Sequence, residues 1–372
     1  MKHIGVFQKH TRHRKGVVVS SATVRGIATA LGVSPATVSR SLNNSPDVSE
    51  SLREKVIAEA RRLGYELPRK GARTGRVGII FFNETSGPKF SGYDAVIWGG
   101  VTRAAMALKF DVCIIDPLDR KPDEGFSAFA VRKGLEGLVI RVDEETRHVC
   151  AAIAADGVPH VVVADRFEDE RVNFVCCNSS RPSRAAVEHL LHLGHRRIAV
   201  CHNTVLDTDH RDRIEAYRAA LADASLEVNP ELIIAISAEI GGGAAAFNRL
   251  MSLPEPPTAI FFTDPALTIG ALRRALEVGI RVPDELSIVG VDDERLRKMT
   301  HPVFTAVCQN AAELGHQAGR WLCRQLSQRS GRERKPVSLR LEIEGFLEIN
   351  QTTAPPPPVP VRVTPMGQRI TE

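Results

Sequence analysis

The chain has 372 residues, 43% of them hydrophobic and 25% charged, with a formal net charge of +5. That length can bury a sizeable core in more than one domain. No apolar run approaches the roughly 20 residues that span a bilayer, and the run at 17–19 is too short for a secretion signal.

Seven cysteines, an odd number without a CxxC spacing, fit reduced and mostly buried thiols and a cytoplasmic, nucleoid-associated location. Charge is segregated. Residues 1–76 hold 15 Lys/Arg against 5 Asp/Glu, and the remainder holds 34 against 39. A basic head on a mildly acidic body is the footprint of a nucleic-acid-binding domain attached to something else.

Residues 1–22 are basic, rich in histidine and without period, which predicts a disordered extension. TVRGIATALGVSPATVSRSLN, residues 23–43, then reads as two short helices around a tight turn. Ser34 is placed to cap the second, and Pro35 takes its first position, where a missing N–H is harmless. At 100° per residue Val38 and Leu42 point inward, onto Ala28, Leu31 and Val33, while Ala36, Arg40 and Asn43 point outward. An exposed arginine on a short, capped helix behind a glycine turn is the pattern of a major-groove reader. A third helix follows to about Glu66, with Leu52, Val56, Ile57, Ala60 and Leu63 as its apolar stripe and Ser49 as its cap. Residues 67–76, LPRKGARTGR, form a basic linker. Arg69, Lys70, Arg73 and Arg76 are expected to lie along DNA phosphates or in a narrow minor groove.

From 77 to 353 the texture changes. VGIIFF, FDVCIIDP, LEGLVIR, HVVVAD, RRIAVCHN, TAIFFTD and LSIVGVDD read as buried parallel strands. They alternate with helical stretches such as SRAAVEHLLHLGH, DRIEAYRAALADA and TIGALRRALEVGI, which predicts a doubly wound α/β body. The proline-rich segment 354–372 is expected to be disordered. Ligands bind such sheets at the carboxyl ends of strands. Those ends carry residues 83–86, Asp165 and Arg166, Asp264, Asp292 and Asp293, while Arg213 opens a helix after another loop. Carboxylates with arginine suit a polyhydroxylated, sugar-like ligand. Phe90, Tyr93 and Trp98 are candidates to stack on its ring.

Catalysis finds little support. The glycines at 241–243 lack a following Lys-Ser/Thr, no GxGxxG or GxSxG is present, and the twelve histidines show no HExxH. His189, His192 and His195 are expected to sit on or cap one helix. No cofactor or metal is implied. The alternatives to a DNA-binding regulator are a sugar-binding protein without regulatory DNA binding and, behind it, an enzyme of the α/β class. The first needs a signal peptide and leaves the basic head unexplained.

The order of these pieces resembles the LacI/GalR family of bacterial transcription regulators. TVRGIATALGVSPATVSRSLNNSPDVSESLREKVIAEARRLGY is similar to that family's DNA-binding head. EHLLHLGHRRIAV, RDRIEAYRAAL, GALRRALEVGIRVPDELSIVGVDD and HPVFTAVCQNAAELG resemble its body, so the likeness spans about Thr23 to Thr353. It implies an N-terminal all-α helix-turn-helix head plus an α/β, two-lobed, periplasmic-binding-protein-like body. The lobes would hold about 77–177 with 305–335, and about 178–304 with 336–353. It further implies a homodimeric repressor on a pseudo-palindromic, double-stranded operator, with a small effector between the lobes, a sugar or sugar derivative by default. By resemblance Pro35, Ala36 and Arg40 fall where base edges are read, and Thr23, Ser34, Thr37, Ser39 and Asn43 where phosphates are touched. Phe90, Arg166, Arg213, Asp264 and Asp292 are the effector candidates. The chain departs from the family pattern in several places. The linker lacks an Ala-Arg-x-Leu hinge, Val291 replaces an aromatic, Asp264-Pro265 stands for an Asn-Asp pair, and Cys308 and Asn350 replace arginines.

Overall fold

The computed structural model describes residues 23–42, 48–63, 65, 74–82, 92–292, 296–328 and 338–370. It divides into two units, Met1–Arg73 and Thr74–Glu372. In the first, helices α1 (Val24–Leu31), α2 (Pro35–Leu42) and α3 (Glu50–Arg62) pack around Ile27, Ala28, Val38, Val56 and Ala60. Local chemistry sets the ends of α1. The Thr23 hydroxyl accepts the Gly26 N–H at 3.1 Å, and Gly32 closes the helix at φ +64°, a conformation glycine adopts without strain. The Ser34 hydroxyl accepts the Thr37 N–H at 3.0 Å, as its position before Pro35 suggested. Ser49 makes no such bond to α3; its hydroxyl meets that of Ser51 instead. Ile57 is half-buried, while Leu52 and Leu63 pack against the cluster. The 1–22 extension and most of the linker, Arg69, Lys70 and Arg73 included, lie outside the described residues.

The second unit is built on two sheets. The first contains β1 (Arg76–Phe81), β2 (Asp111–Ile115), β3 (Gly137–Arg141), β4 (His160–Val163), β5 (Phe174–Asn178) and β11 (Arg340–Glu344) in the order β11-β5-β4-β3-β1-β2. The other contains β6 (Ile198–Asn203), β7 (Ile233–Ile236), β8 (Ala259–Phe262), β9 (Ser287–Asp292), β10 (Thr305–Cys308) and β12 (Phe346–Glu348) in the order β12-β10-β9-β8-β6-β7. Every pairing is parallel except β10 with β12. Helices α4 (Gly92–Ala107), α5 (Phe126–Arg132), α6 (Val149–Ala155) and α11 (Ala311–Gln328) serve the first sheet. The second is served by α7 (Ser180–His192), α8 (Thr208–Asp223), α9 (Ile240–Met251) and α10 (Pro265–Glu277). All seven strand runs read from the sequence are present. β5, β7, β10, β11 and β12 add to them.

Three expectations about the body and its flanks need correction. Thr305–Cys308 pairs in the second sheet and Arg340–Glu344 in the first, so the last two lobe segments exchange strands relative to the expected division. The chain therefore crosses between lobes after β5, after β10 and after β11. A Cβ on Gly345 would stand 2.9 Å from the Cys308 carbonyl and 3.4 Å from the Cys177 sulfur, so glycine lets the three crossings share one spot. The proline-rich tail is an ordered strap on the second lobe. The Val363 N–H donates to the Met251 carbonyl at 3.0 Å, its side chain joins the core, and Arg369 pairs with Glu285 at 2.6 Å. Composition suggested disorder, yet one buried valine and one ion pair fasten the segment. Arg76, expected in the linker, begins β1, and its guanidinium meets the Cys113 sulfur at 3.0 Å.

Glycines set the helix spacing on both lobes. A Cβ on Gly243 would lie 2.1 Å from the Leu267 carbonyl, so this glycine lets α9 approach α10, while a Cβ on Gly242 would lie 2.2 Å from the Ser237 carbonyl. Between α4 and α11, a Cβ on Gly315 would lie 1.9 Å from the Ile97 carbonyl. Because backbone cannot yield as a flexible side chain does, Gly315→Ala is expected to destabilise the chain by about 1–3 kcal/mol, in the range of overpacked cores. A lowered urea midpoint would register this; an unchanged midpoint would refute the close helix contact.

Candidate DNA interface and interlobe cleft

On the head, α2 keeps Pro35, Ala36, Ser39 and Arg40 exposed and Thr37 half-buried, while Val38 is fully buried. The exposed edge is polar and cationic. Arg40 rests its Nε–H on the Ala36 carbonyl at 3.4 Å, a weak bond within its own helix. Thr23 and Ser34 stand at the N-termini of α1 and α2, where backbone N–H groups favour anions. Asn43 lies outside the described residues.

In the body, the switch points of the two sheets fall at β1/β3 and β6/β8, where neighbouring strands are reached by connections running in opposite directions. A cleft of about 1020 Å³ opens there. Phe81 and Arg141 reach it from the ends of β1 and β3, Asn203 from β6 and Asp264 from beyond β8. The first turns of α8 add Asp207, Asp209, His210 and Arg213. Arg141 donates to Asp94 at 3.0 Å and to the Val163 and Ala164 carbonyls at 3.3 Å, and it lies over the Tyr93 ring. Arg213 donates to the Thr263 carbonyl at 2.9 Å and stands 3.6 Å from Asp209. Asp207 caps α8, accepting both the His210 N–H at 2.9 Å and its Nδ1 at 2.7 Å. Asp264 caps α10 through the Ala266 N–H at 2.8 Å, with Pro265 at the first helical position.

Two neighbouring carboxylates in this cluster titrate apart. Burial works to raise Asp207, but His210 and Arg141 override it and hold its carboxyl well below the usual range. Asp209 has only the longer contact to Arg213; burial, with the Asp207 charge beside it, pushes it up to about 7. Its folded state therefore holds an extra proton between the unfolded value of 3.8 and about 7. Stability falls as pH rises through that window, because the unfolded chain gives up its proton first. Asp209→Asn is expected to flatten the decline in unfolding midpoint from about pH 4 to 7. Thermal unfolding across that range checks it, and an unaltered slope counts against the buried proton. Burial likewise raises Asp264, opposed by His210.

The other effector candidates lie elsewhere. Phe90 is outside the described residues. Arg166 lines a neighbouring pocket of about 690 Å³ and forms a two-pronged pair with Asp212 at 2.6 and 2.8 Å. Asp292 is fully buried and does not line the cleft; it holds Arg297 at 2.6 Å. The same guanidinium grips Glu348 and, with Asn350, holds its carboxyl down at about 2. Of the three histidines expected on one helix, His189 and His192 lie on α7. His195 lies beyond its end and meets Thr258 at 2.8 Å and the Ala354 carbonyl at 2.9 Å. No cluster of His, Cys, Asp and Glu suited to a metal occurs among the described residues, and none of their helices is long and apolar enough to cross a membrane.

α8 also ties the lobes together. Thr208 bonds Asp165, Arg211 pairs with Glu144 at 2.6 Å, Asp212 holds Arg166, and the Leu206 carbonyl accepts the Glu144 N–H at 3.1 Å. Asp207, Asp209, His210 and Arg141 were not singled out from the sequence. The run DTDHRDR, residues 207–213, was the available signal: a capping aspartate followed by charges at helical spacing.

Comparison with known proteins bears on both sites. Residues 19–66 match the model of bacterial regulatory proteins, lacI family, and 187–344 that of the periplasmic binding protein-like domain. The HTH-type transcriptional repressor PurR of Haemophilus influenzae is 26% identical over 80% of this chain and 89% of its own. Catabolite control protein A of Priestia megaterium is 28% identical over 82% and 93%. Among solved structures, the transcriptional regulator CelR–cellobiose complex aligns with a TM-score of 0.63 at 24% identity, covering 89% of this chain and 99% of the other.

Proposed function

Because the chain belongs to the lacI family of bacterial regulatory proteins, and is a DNA-binding regulator rather than an enzyme, we propose that it is a homodimeric repressor whose operator affinity is set by a small effector in the interlobe cleft. Paired heads read a pseudo-palindromic operator. Arg40 contacts a guanine edge, with Pro35 and Ala36 beside it. Thr23, Ser34, Thr37, Ser39 and Asn43 hold phosphates and fix register. Arg213 and Asp264 hold a polyhydroxylated effector, as their place in the cleft supports. The protein acts in the cytoplasm.

The observation that carries the regulatory part is the double duty of α8. Its first turns present Asp209, His210 and Arg213 to the cleft and Thr208, Arg211 and Asp212 to the opposite lobe. An occupant of the cleft therefore works on the same turn that fastens the lobes. Coupling between two such sites is typically about 1–3 kcal/mol. Selection of bound fragments from sheared genomic DNA, followed by mobility shift at two salt concentrations, tests the reading. A shared palindromic site with steep salt dependence supports it; weak binding without sequence preference refutes it.

A further inference from the structure

Resting on the reading that the cleft holds the effector, we propose that this effector is a cationic, donor-rich molecule: a small polyhydroxylated compound bearing a protonated amine. The lining is acidic. Among the described residues eight carboxyl groups line the cleft against two guanidinium groups, and six of the eight remain when Asp209 and Asp264, both raised by burial, are set aside. Both guanidiniums are already engaged, Arg141 by Asp94 and two backbone carbonyls, Arg213 by the Thr263 carbonyl and Asp209. A phosphate or carboxylate ligand needs an opposite charge to meet it and here faces an excess of its own sign.

His210 supplies an independent indication. It is 8% exposed, and its Nε2 has no hydrogen-bond partner among the described residues. Its Nδ1 is taken up by the Asp207 carboxylate, so Nε2 is the ring atom left for an occupant of the cleft. Asp209 and Asp264 share that wall with Asn203 and Arg213. Burial raises both carboxyls. An ammonium placed between them supplies the charge that lets them ionise, whereas a neutral hydroxyl does not. Tyr93, Ile240 and Ile269 give the cleft an apolar flank for the carbon skeleton.

The test uses the full chain and titration calorimetry with three matched sets: glucosamine, galactosamine and mannosamine; the parent hexoses; and the corresponding uronic acids. At least one amine is expected to bind about tenfold or more tightly than its hexose, a difference near 1.4 kcal/mol. Asp264→Asn, which keeps the cap on α10, is expected to remove that preference at an unchanged unfolding midpoint; Asp209→Asn serves as the second variant if the midpoint moves. Binding of a hexose or uronic acid equal to that of its amine overturns the cationic assignment. If Arg213→Lys also weakens that binding, the cleft remains the effector site and only the charge class is wrong. No binding by any amine at millimolar concentration overturns the proposal. Amine binding that ignores both aspartate variants overturns it and the cleft reading together.

Discussion

Arg297→Met is expected to destabilise the chain by about 3–5 kcal/mol, the usual range when one partner of a buried ion pair is removed. Arg297 is 5% exposed and Asp292 is not exposed at all. Without the guanidinium, Asp292 retains the Leu296 and Arg297 N–H groups at 3.2 Å but loses its 2.6 Å contact to a cation. Glu348 loses two further bonds, at 2.9 and 2.7 Å. Asp292→Asn is expected to cost less, because an amide still accepts and Arg297 keeps Glu348. Urea unfolding with an unchanged slope separates lost stability from altered compactness. The pair joins the end of β9 to β12, so it governs how the second lobe holds the strand that follows the last crossing. This departs from what the resemblance implied, an effector-binding role for Asp292. Loss of effector binding in Asp292→Asn at an unchanged unfolding midpoint would restore that role.

What was legible in the sequence depended on range. The head could be read because its signals are local: Ser34 caps three residues on, Gly32 ends α1, and Val38 faces a stripe at helical spacing. Six of the seven strand runs were legible because their strands are covered on both faces, leaving uninterrupted apolar stretches, while β2 is a partly exposed edge strand that kept an apolar run all the same. β11 was missed because RLEIE interrupts its apolar residues with exposed charges at a sheet edge, and β7 because it is a four-residue run at a partly exposed edge. The exchange of β10 and β11 between lobes is set by pairing partners more than a hundred residues distant for β11, which no local pattern encodes. Asp264 and Arg213 were recognised as polar groups beside strand ends. Asp292 satisfied the same rule and failed to reach the cleft, because a 3-10 turn five residues later turns Arg297 back onto it. A strand-end carboxylate is thus a cleft candidate only until its counter-ion is found, and that partner had no periodic signal.

For the head, Arg40→Ala is expected to leave folding intact and to remove discrimination at one base pair in each half-site. The side chain is exposed, its one hydrogen bond among the described residues is a 3.4 Å contact to its own helix, and alanine favours helix more than arginine does. Its effect on stability should therefore stay within about 0.5 kcal/mol. A bidentate arginine on guanine is worth about 1–3 kcal/mol of discrimination. The expected result is loss of affinity for the selected operator with little loss on unrelated DNA, so that the two curves converge. Thr37→Ala should behave differently. Its hydroxyl already meets Ser34 at 2.8 Å at the start of α2, where a phosphate would sit, so removing it should weaken all sequences alike. Arg40→Lys separates geometry from charge, because an ammonium keeps the positive field but cannot form the two-pronged contact. If lysine restored full discrimination, Arg40 would be acting as a phosphate anchor, and base reading would have to reside elsewhere on α2. Persistence of specificity in both variants would show that the exposed face of α2 is not the surface that enters the groove.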